Sequence, residues 1–345
     1  MPPPPFLPAA ELSGRFYRDV VLPVLGGTPH AAGLLGWGSD VLGYDTERST
    51  DHGWGPRVVV LLAGEPGDVD WHERLDAALP ESFEGWPVRF GWDGVPPRHH
   101  VTVSTLSDWL TGFLGVDATA GMGTLDWLLT PQQRLLGVVS GRVHSDGTGE
   151  LGRLREAVRW YPDQLHRWLL AAQWRRIAEE EAFVARAAEV GDETGSAVVA
   201  GRLVRDLMRL ALLLGRRYAP YGKWLGTAFQ RMPSPDGLSQ HLGDVVRAPG
   251  RQQRESALAA AYRTLADRQN ASCLAPPLGT ATGNYHDRPA QVLMAGRFAE
   301  TLLTTVTDPE LTGLPLIGSV DQVTDSTAVL ADPRVSRRLA GLYSR

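Results

Sequence analysis

The chain has 345 residues, 43% hydrophobic and 21% charged, with 34 basic against 39 acidic side chains and a net charge of −5. That length carries about two domains with sizeable cores, and the balance is that of a globular protein, not a disordered one. A mildly acidic chain (isoelectric point near 6.0) is no generic nucleic-acid binder or polybasic membrane-surface protein, and the single cysteine, Cys273, excludes an internal disulfide.

The first eight residues form a proline-rich tail (1–8) with neither the basic nor the apolar region of a signal peptide. A helix is expected from about Ala10 to Leu22. Short apolar runs then read as strands at Ala32–Leu35, Arg57–Ala63, Pro87–Phe90 and His100–Val103, with helices between them at Asp68–Ala78 and Leu106–Leu114. This alternation predicts an α/β domain over residues 9–130. From about Pro131 the period becomes helical, after a possible hairpin over Gly137–Gly149 that turns at Ser145-Asp146-Gly147. Long helices are expected from Pro162 to Glu189 and from Asp192 or Thr194 to Arg216, then at Trp224–Gln230, Gln252–Gln269 and Pro289–Thr304. Residues 131–345 therefore read as an α-helical domain, and the fold class as α+β. The longest apolar run, Leu207–Leu214, is broken by Arg209 and falls short of the about 18 residues that a membrane span needs. The expectation is a cytoplasmic protein with no membrane or nucleic-acid partner.

The strongest local signal is Gly36–Pro56, GWGSDVLGYDTERSTDHGWGP, between two predicted strands. A Gly38-Ser39 turn after a strand lets backbone N–H groups and a hydroxyl approach the phosphates of a nucleoside triphosphate. Asp51 follows twelve residues after Ser39 and would hold Mg²⁺ on the phosphate oxygens. Such sites place a second carboxylate at i+2 on the same strand face, yet position 53 is Gly53, and His99–Leu106 offers no acid for a third. Asp40 and Asp45 are the loop carboxylates that a rearranged metal site could recruit. Their other reading is structural: Asp40 as a helix cap, and Asp45 and Asp51 hydrogen-bonded to turn backbone.

Other patterns fail on spacing: no third glycine completes a dinucleotide fingerprint at Gly36-Trp37-Gly38, and no Ser or Thr follows Lys223 as a P-loop requires. The nine histidines show no zinc-type spacing, and His99-His100 reads as a strand edge. In the helical half, Arg202 and Asp206 are i, i+4 partners with Arg209 three residues on, which reads as a solvated salt-bridge row. The rival reading makes arginines there phosphate clamps. Arg175, Arg209 and Lys223, the only lysine of the chain, are then the candidate nucleotide-binding cations, and Glu193 or Asp192 the candidate general base.

The segments GSDVLGYDTERSTDHGWGP, AAQWRRIAEEEAFVARAAEVGDETGS, RYAPYGKWLGTAF, YHDRP and DQVTDST, in that order, resemble the family known as domain of unknown function 4037, over about Glu11 to Tyr343. The resemblance implies a nucleotidyltransferase-like α/β domain followed by a helical domain, and similarity to bacterial enzymes that modify small molecules. On that pattern Gly38 and Ser39 match the phosphate turn and Asp51 the first metal carboxylate. Family members commonly read Asp-His-Asp-Trp-Gly-Pro, from which Gly53 departs. The strand, Gly-Ser turn and Asp51 arrangement beside a polar helical domain leads to the expectation of Mg²⁺-dependent transfer of a nucleoside monophosphate from a triphosphate to a hydroxyl of a small-molecule acceptor. In that reading Asp51, Asp45 and Asp40 are the candidate metal ligands, and Asp51, Asp45 and Glu193 the candidate catalytic residues. The alternative is a non-catalytic nucleotide- or ligand-binding protein of the same fold with a degenerate metal site.

Overall fold

A computed structural model describes residues 4–64 and 69–344. The backbone separates into two units, Met1–Asp126 with Gln133–Arg159, and Trp127–Gln132 with Trp160–Arg345. The division differs from the one read in the sequence, because residues 133–159 join the sheet-containing unit.

The first unit is built on a five-stranded mixed sheet. Its strands are β1 (His30–Gly33), β2 (Arg57–Leu62), β3 (Arg89–Trp92), β4 (Val95–Thr105) and β5 (Val143–Asp146), in the spatial order β3-β4-β2-β1-β5. β2 and β4 run parallel, with Arg57 opposite His100 and Val59 opposite Thr102; the other neighbours are antiparallel. β5 replaces the predicted 137–149 hairpin: it pairs with β1, 110 or more residues away in sequence, and the segment before it is helical. Period-2 alternation sorts the two central strands into faces. Val58, Val60 and Leu62 of β2 and Val101 of β4 point into a core shared with Phe16, Tyr17, Val21, Leu25, Trp71 and Leu75.

Those core residues come from helices α1 (Ala9–Phe16), which continues through a π turn to Leu25, and α2 (Trp71–Ala78). The predicted start of α2 at Asp68 lies outside the described residues; Asp70 caps the helix by accepting the Glu73 amide. α3 (Leu106–Leu114) keeps its predicted bounds because Thr105 accepts the Asp108 amide at one end and Gly115 turns left-handed at the other. α4 (Gln132–Val139) precedes β5.

The second unit is helical: α5 (Asp163–Glu180), α6 (Phe183–Glu189), α7 (Glu193–Leu214), α8 (Gly222–Gln230), α9 (Leu238–Arg247), α10 (Arg251–Ala271), α11 (Gly296–Leu303) and the single turn α12 (Val320–Val323). Asp192 caps α7 by accepting the Gly195 amide, as its position before a long periodic stretch predicts. Two expectations change. The long helix from Pro162 breaks at Glu181, whose carboxylate turns inward to accept the amides of Leu293 and Ala295. Pro289–Thr304 is not one helix; its first part is a strand, β7 (Arg288–Val292), paired with β6 (Gly283–Tyr285). Among the described residues no helix is long and apolar enough to cross a membrane.

Candidate functional site

The free face of β2 and β4 carries the site. Alternation puts Arg57 and Val59 on this face of β2, and Arg98, His100 and Thr102 on the same face of β4. They line a cavity of about 520 Å³ together with Trp37 after β1, Trp92 at the end of β3, and Trp109 and Phe113 of α3. Among the described residues no carboxylate lines it, and its volume falls in the range of small-molecule pockets.

The aromatic groups support one another. Trp37 meets Trp92 edge-on with centroids 5.3 Å apart, Trp92 stacks on His100 at 5.1 Å, and Trp109 stacks on Phe113 at 5.3 Å. The Arg57 guanidinium lies over the Trp37 ring at 5.0 Å. His100 donates from Nε2 to the Phe90 carbonyl at 2.9 Å, since a carbonyl can only accept. Its Nδ1 is then the acceptor in the neutral ring, and burial lowers its pKa, which keeps the ring neutral near pH 7.

The Gly-Ser turn is held by a guanidinium. Arg57 donates from Nε and Nη2 to the two oxygens of Asp40, each at 2.8 Å, and from Nη2 to the Trp37 carbonyl at 2.5 Å. Asp40 is 4% exposed and Arg57 8%. Gly38, at φ +118°, is required here: a Cβ would sit 2.1 Å from an Asp40 oxygen. Asp45 accepts the Ala9 amide at 2.8 Å and the Trp54 indole N–H at 3.2 Å. It therefore anchors the first turn of α1, where the helix dipole favours a carboxylate.

Asp51 does not lie on a strand. It ends a 3₁₀ turn (Glu47–Asp51), is exposed, and precedes β2 by six residues. Gly53 adopts φ +62°, and a Cβ there would touch the Trp37 ring at 3.4 Å, so the position of the second expected carboxylate is a seat for an indole. Ser39 is half-buried in the turn, where its carbonyl accepts the Tyr44 amide. Gly38, Ser39 and Asp51 are absent from the cavity lining. A Mg²⁺ ion does not fit these residues. Both oxygens of Asp40 are bound by Arg57, Asp45 is bound by N–H donors, and among the described residues no three His, Cys, Asp or Glu side chains gather into a metal-holding group.

The remaining predicted residues belong to the helical unit. Glu193 opens α7 and pairs with the buried Arg254 at 3.1 Å, which is the role of a structural counter-ion. Lys223 is exposed on α8 with its Nζ 5.1 Å from the Trp224 ring centroid. Arg175 lies half-buried on α5. Arg209 donates to the Asp321 carbonyl, and burial lowers its pKa. The expected Arg202–Asp206 pair does not form. Arg202 reaches Glu180 of α5 at 2.6 Å, and Asp206, 1% exposed, is held by Arg176 at 2.9 Å. The row is thus part of the α5–α7 contact through Asp206 and Glu180, while the Arg202 side chain stays half exposed.

Sequence reasoning missed Trp37, Trp92, Arg98 and Trp109. The available signal was the alternation Arg98-x-His100-x-Thr102, which sets three polar groups on one face of a strand.

Residues 127–225 match the family model described as Domain of unknown function (DUF4037). No curated protein matches the chain. Among solved structures, a nucleotidyltransferase-like protein from Exiguobacterium sibiricum is similar over 88% of this chain and 92% of its own, at 13% identity and a TM-score of 0.34.

Proposed function

We propose that this protein binds a nucleotide, or a closely related anionic heteroaromatic molecule, on the β2–β4 face without metal-dependent transfer. The observation that carries this reading is the cavity lining: three indoles, two arginines and a neutral imidazole, with no carboxylate among the described residues. Stacking on tryptophan suits a planar base, at about 1–3 kcal/mol per base. Arg98, exposed at the rim, is a fork of donors for a phosphate or carboxylate. Arg57 is already committed to Asp40 and contributes its field and its cover over Trp37. His100 Nδ1 accepts from a base amino group or ribose hydroxyl.

The strand, Gly-Ser turn, strand order of the first unit supports a nucleotidyltransferase-like reading of the α/β unit, while Asp40 and Asp45 are otherwise engaged and Asp51 stands away from the cavity. The test is calorimetric titration of the full chain with AMP and ATP, with Mg²⁺ and with EDTA. Binding that survives EDTA and weakens about tenfold in Trp92→Ala and in Arg98→Gln is the expected result. Incubation with α-labelled ATP, Mg²⁺ and a metabolite extract should give no labelled product. Label transfer that Asp51→Asn abolishes would overturn the reading in favour of a transferase.

A further inference from the structure

The helical unit holds a second recess, of about 370 Å³, lined by Arg176, Arg202, Arg205 and Arg209 and by the segment Asp321–Asp325. Three of the arginines occupy i, i+3 and i+7 on α7, and Arg176 faces them from α5. Like charges at those spacings repel along a helix, so the arrangement requires anionic partners.

Those partners are unequal. Asp206 is buried and holds Arg176, and Glu180 holds Arg202. Arg209 has a backbone carbonyl, that of Asp321, while the Asp321 carboxylate accepts the Gln132 amide at 2.9 Å. Arg205 reaches Asp206 at 3.5 Å and pairs with Asp325, whose side chain is 68% exposed. Four guanidinium groups thus face three ion-paired carboxylates and one inward-turned acid, so net charge alone attracts little. What the recess supplies is directed N–H donors in a rigid frame. Gln322 fixes the wall by donating to the Leu169 carbonyl and to Gln173, and Arg176 donates to the Gln322 carbonyl at 3.0 Å.

We infer that this recess is a phosphate site in which Asp325 is an exchangeable occupant, displaced from Arg205 when a phosphate group enters. A phosphate dianion brings more charge and more acceptor oxygens than the carboxylate it displaces, and guanidinium forks match its geometry. The exposure of Asp325 lets it swing into water at little cost.

The experiment is calorimetric titration of the full chain with inorganic phosphate, pyrophosphate and AMP at constant ionic strength. Saturable one-to-one binding of phosphate is expected, about tenfold weaker in Arg205→Gln and tighter in Asp325→Asn, where the competing carboxylate is gone. Asp325 is a surface residue, so that second variant keeps the test valid if loss of Arg205 disturbs folding. Free phosphate as the ligand is indicated when phosphate and pyrophosphate binding respond to Asp325→Asn and AMP binding does not; a phosphate borne on a nucleotide is indicated when AMP binding responds to Asp325→Asn. The inference is overturned by no saturable phosphate binding up to about 10 mM, the edge of meaningful affinity, or by equal affinities in wild type and Asp325→Asn. Loss of phosphate binding in Arg98→Gln would also overturn it, by assigning the phosphate to the β2–β4 cavity.

Discussion

Replacing Asp40 by Asn separates a structural clamp from a metal ligand. In the wild type both carboxylate oxygens of Asp40 accept from Arg57 at 2.8 Å, and both side chains are nine-tenths buried or more. The amide of Asn presents an N–H₂ to a guanidinium that has only donors, so one hydrogen bond is lost and a buried cation is left without its counter-charge. Breaking a buried pair from one side costs about 3–5 kcal/mol. Arg57→Met strands the carboxylate at similar cost and also frees the Trp37 carbonyl, a further ~1 kcal/mol. The double variant Asp40→Leu, Arg57→Met removes both charges and should be more stable than either single variant, lacking mainly the bond to Trp37. Denaturation monitored by near-ultraviolet circular dichroism, with hydrogen exchange of the peptides covering residues 36–62, measures the local opening. Mg²⁺ should shift none of the four proteins. A loss below about 1 kcal/mol in Asp40→Asn, the range of exposed pairs, would refute the clamp. So would a melting temperature that Mg²⁺ raises in wild type but not in Asp40→Asn.

Restoring the commoner motif by Gly53→Asp should destabilise the chain by about 1–2 kcal/mol, because a Cβ at φ +62° is strained and meets the Trp37 ring. Thermal melts with and without Mg²⁺ check this, and a Mg²⁺-dependent gain would contradict it. Acid should weaken the helical unit through His166, which donates from Nε2 to the Leu213 carbonyl and whose pKa burial lowers to about 4. The unfolded chain binds this proton near pH 6.5, so stability is intact above that value and falls as the pH drops toward 4, by up to about 3 kcal/mol for a shift of this size. His166→Gln should flatten that slope in urea titrations between pH 7 and 4; an unchanged slope would remove His166 from the account.

The sequence made legible those elements whose signal is local. β2 is a run of valines and leucines ending at a glycine-containing turn, and α3 has a threonine cap at one end and a glycine at the other. What escaped reading depends on partners far along the chain. Val143–Asp146 reads as part of a local hairpin turning at Ser145-Asp146-Gly147, and it pairs instead with the distant, open edge of β1. Gly53 is visible as a missing acid, but its service as a seat for Trp37 exists only once the turn is folded. Asp206 looked like a surface partner of Arg202 because i, i+4 spacing is a helix-surface rule. Arg176 on the neighbouring helix wins because it meets Asp206 out of water, where the ion pair is worth more.

Arg57 also accounts for the shape of the Gly-Ser turn, with Asp40 and Asp45 held by N–H donors. A divalent cation in such a loop would neutralise the acids after the turn and tie them to the next strand. Arg57 does both with a fixed charge at the first residue of β2, binding Asp40 through two donors and the Trp37 carbonyl through a third contact. Its guanidinium then covers the Trp37 ring, while Gly53 lets that indole approach the backbone from the other side. Turn, strand and aromatic wall are therefore one electrostatic and packing unit. A single added acid at position 53 cannot rebuild a metal centre, because the charge it would share is already balanced and its left-handed backbone would be strained against the Trp37 ring.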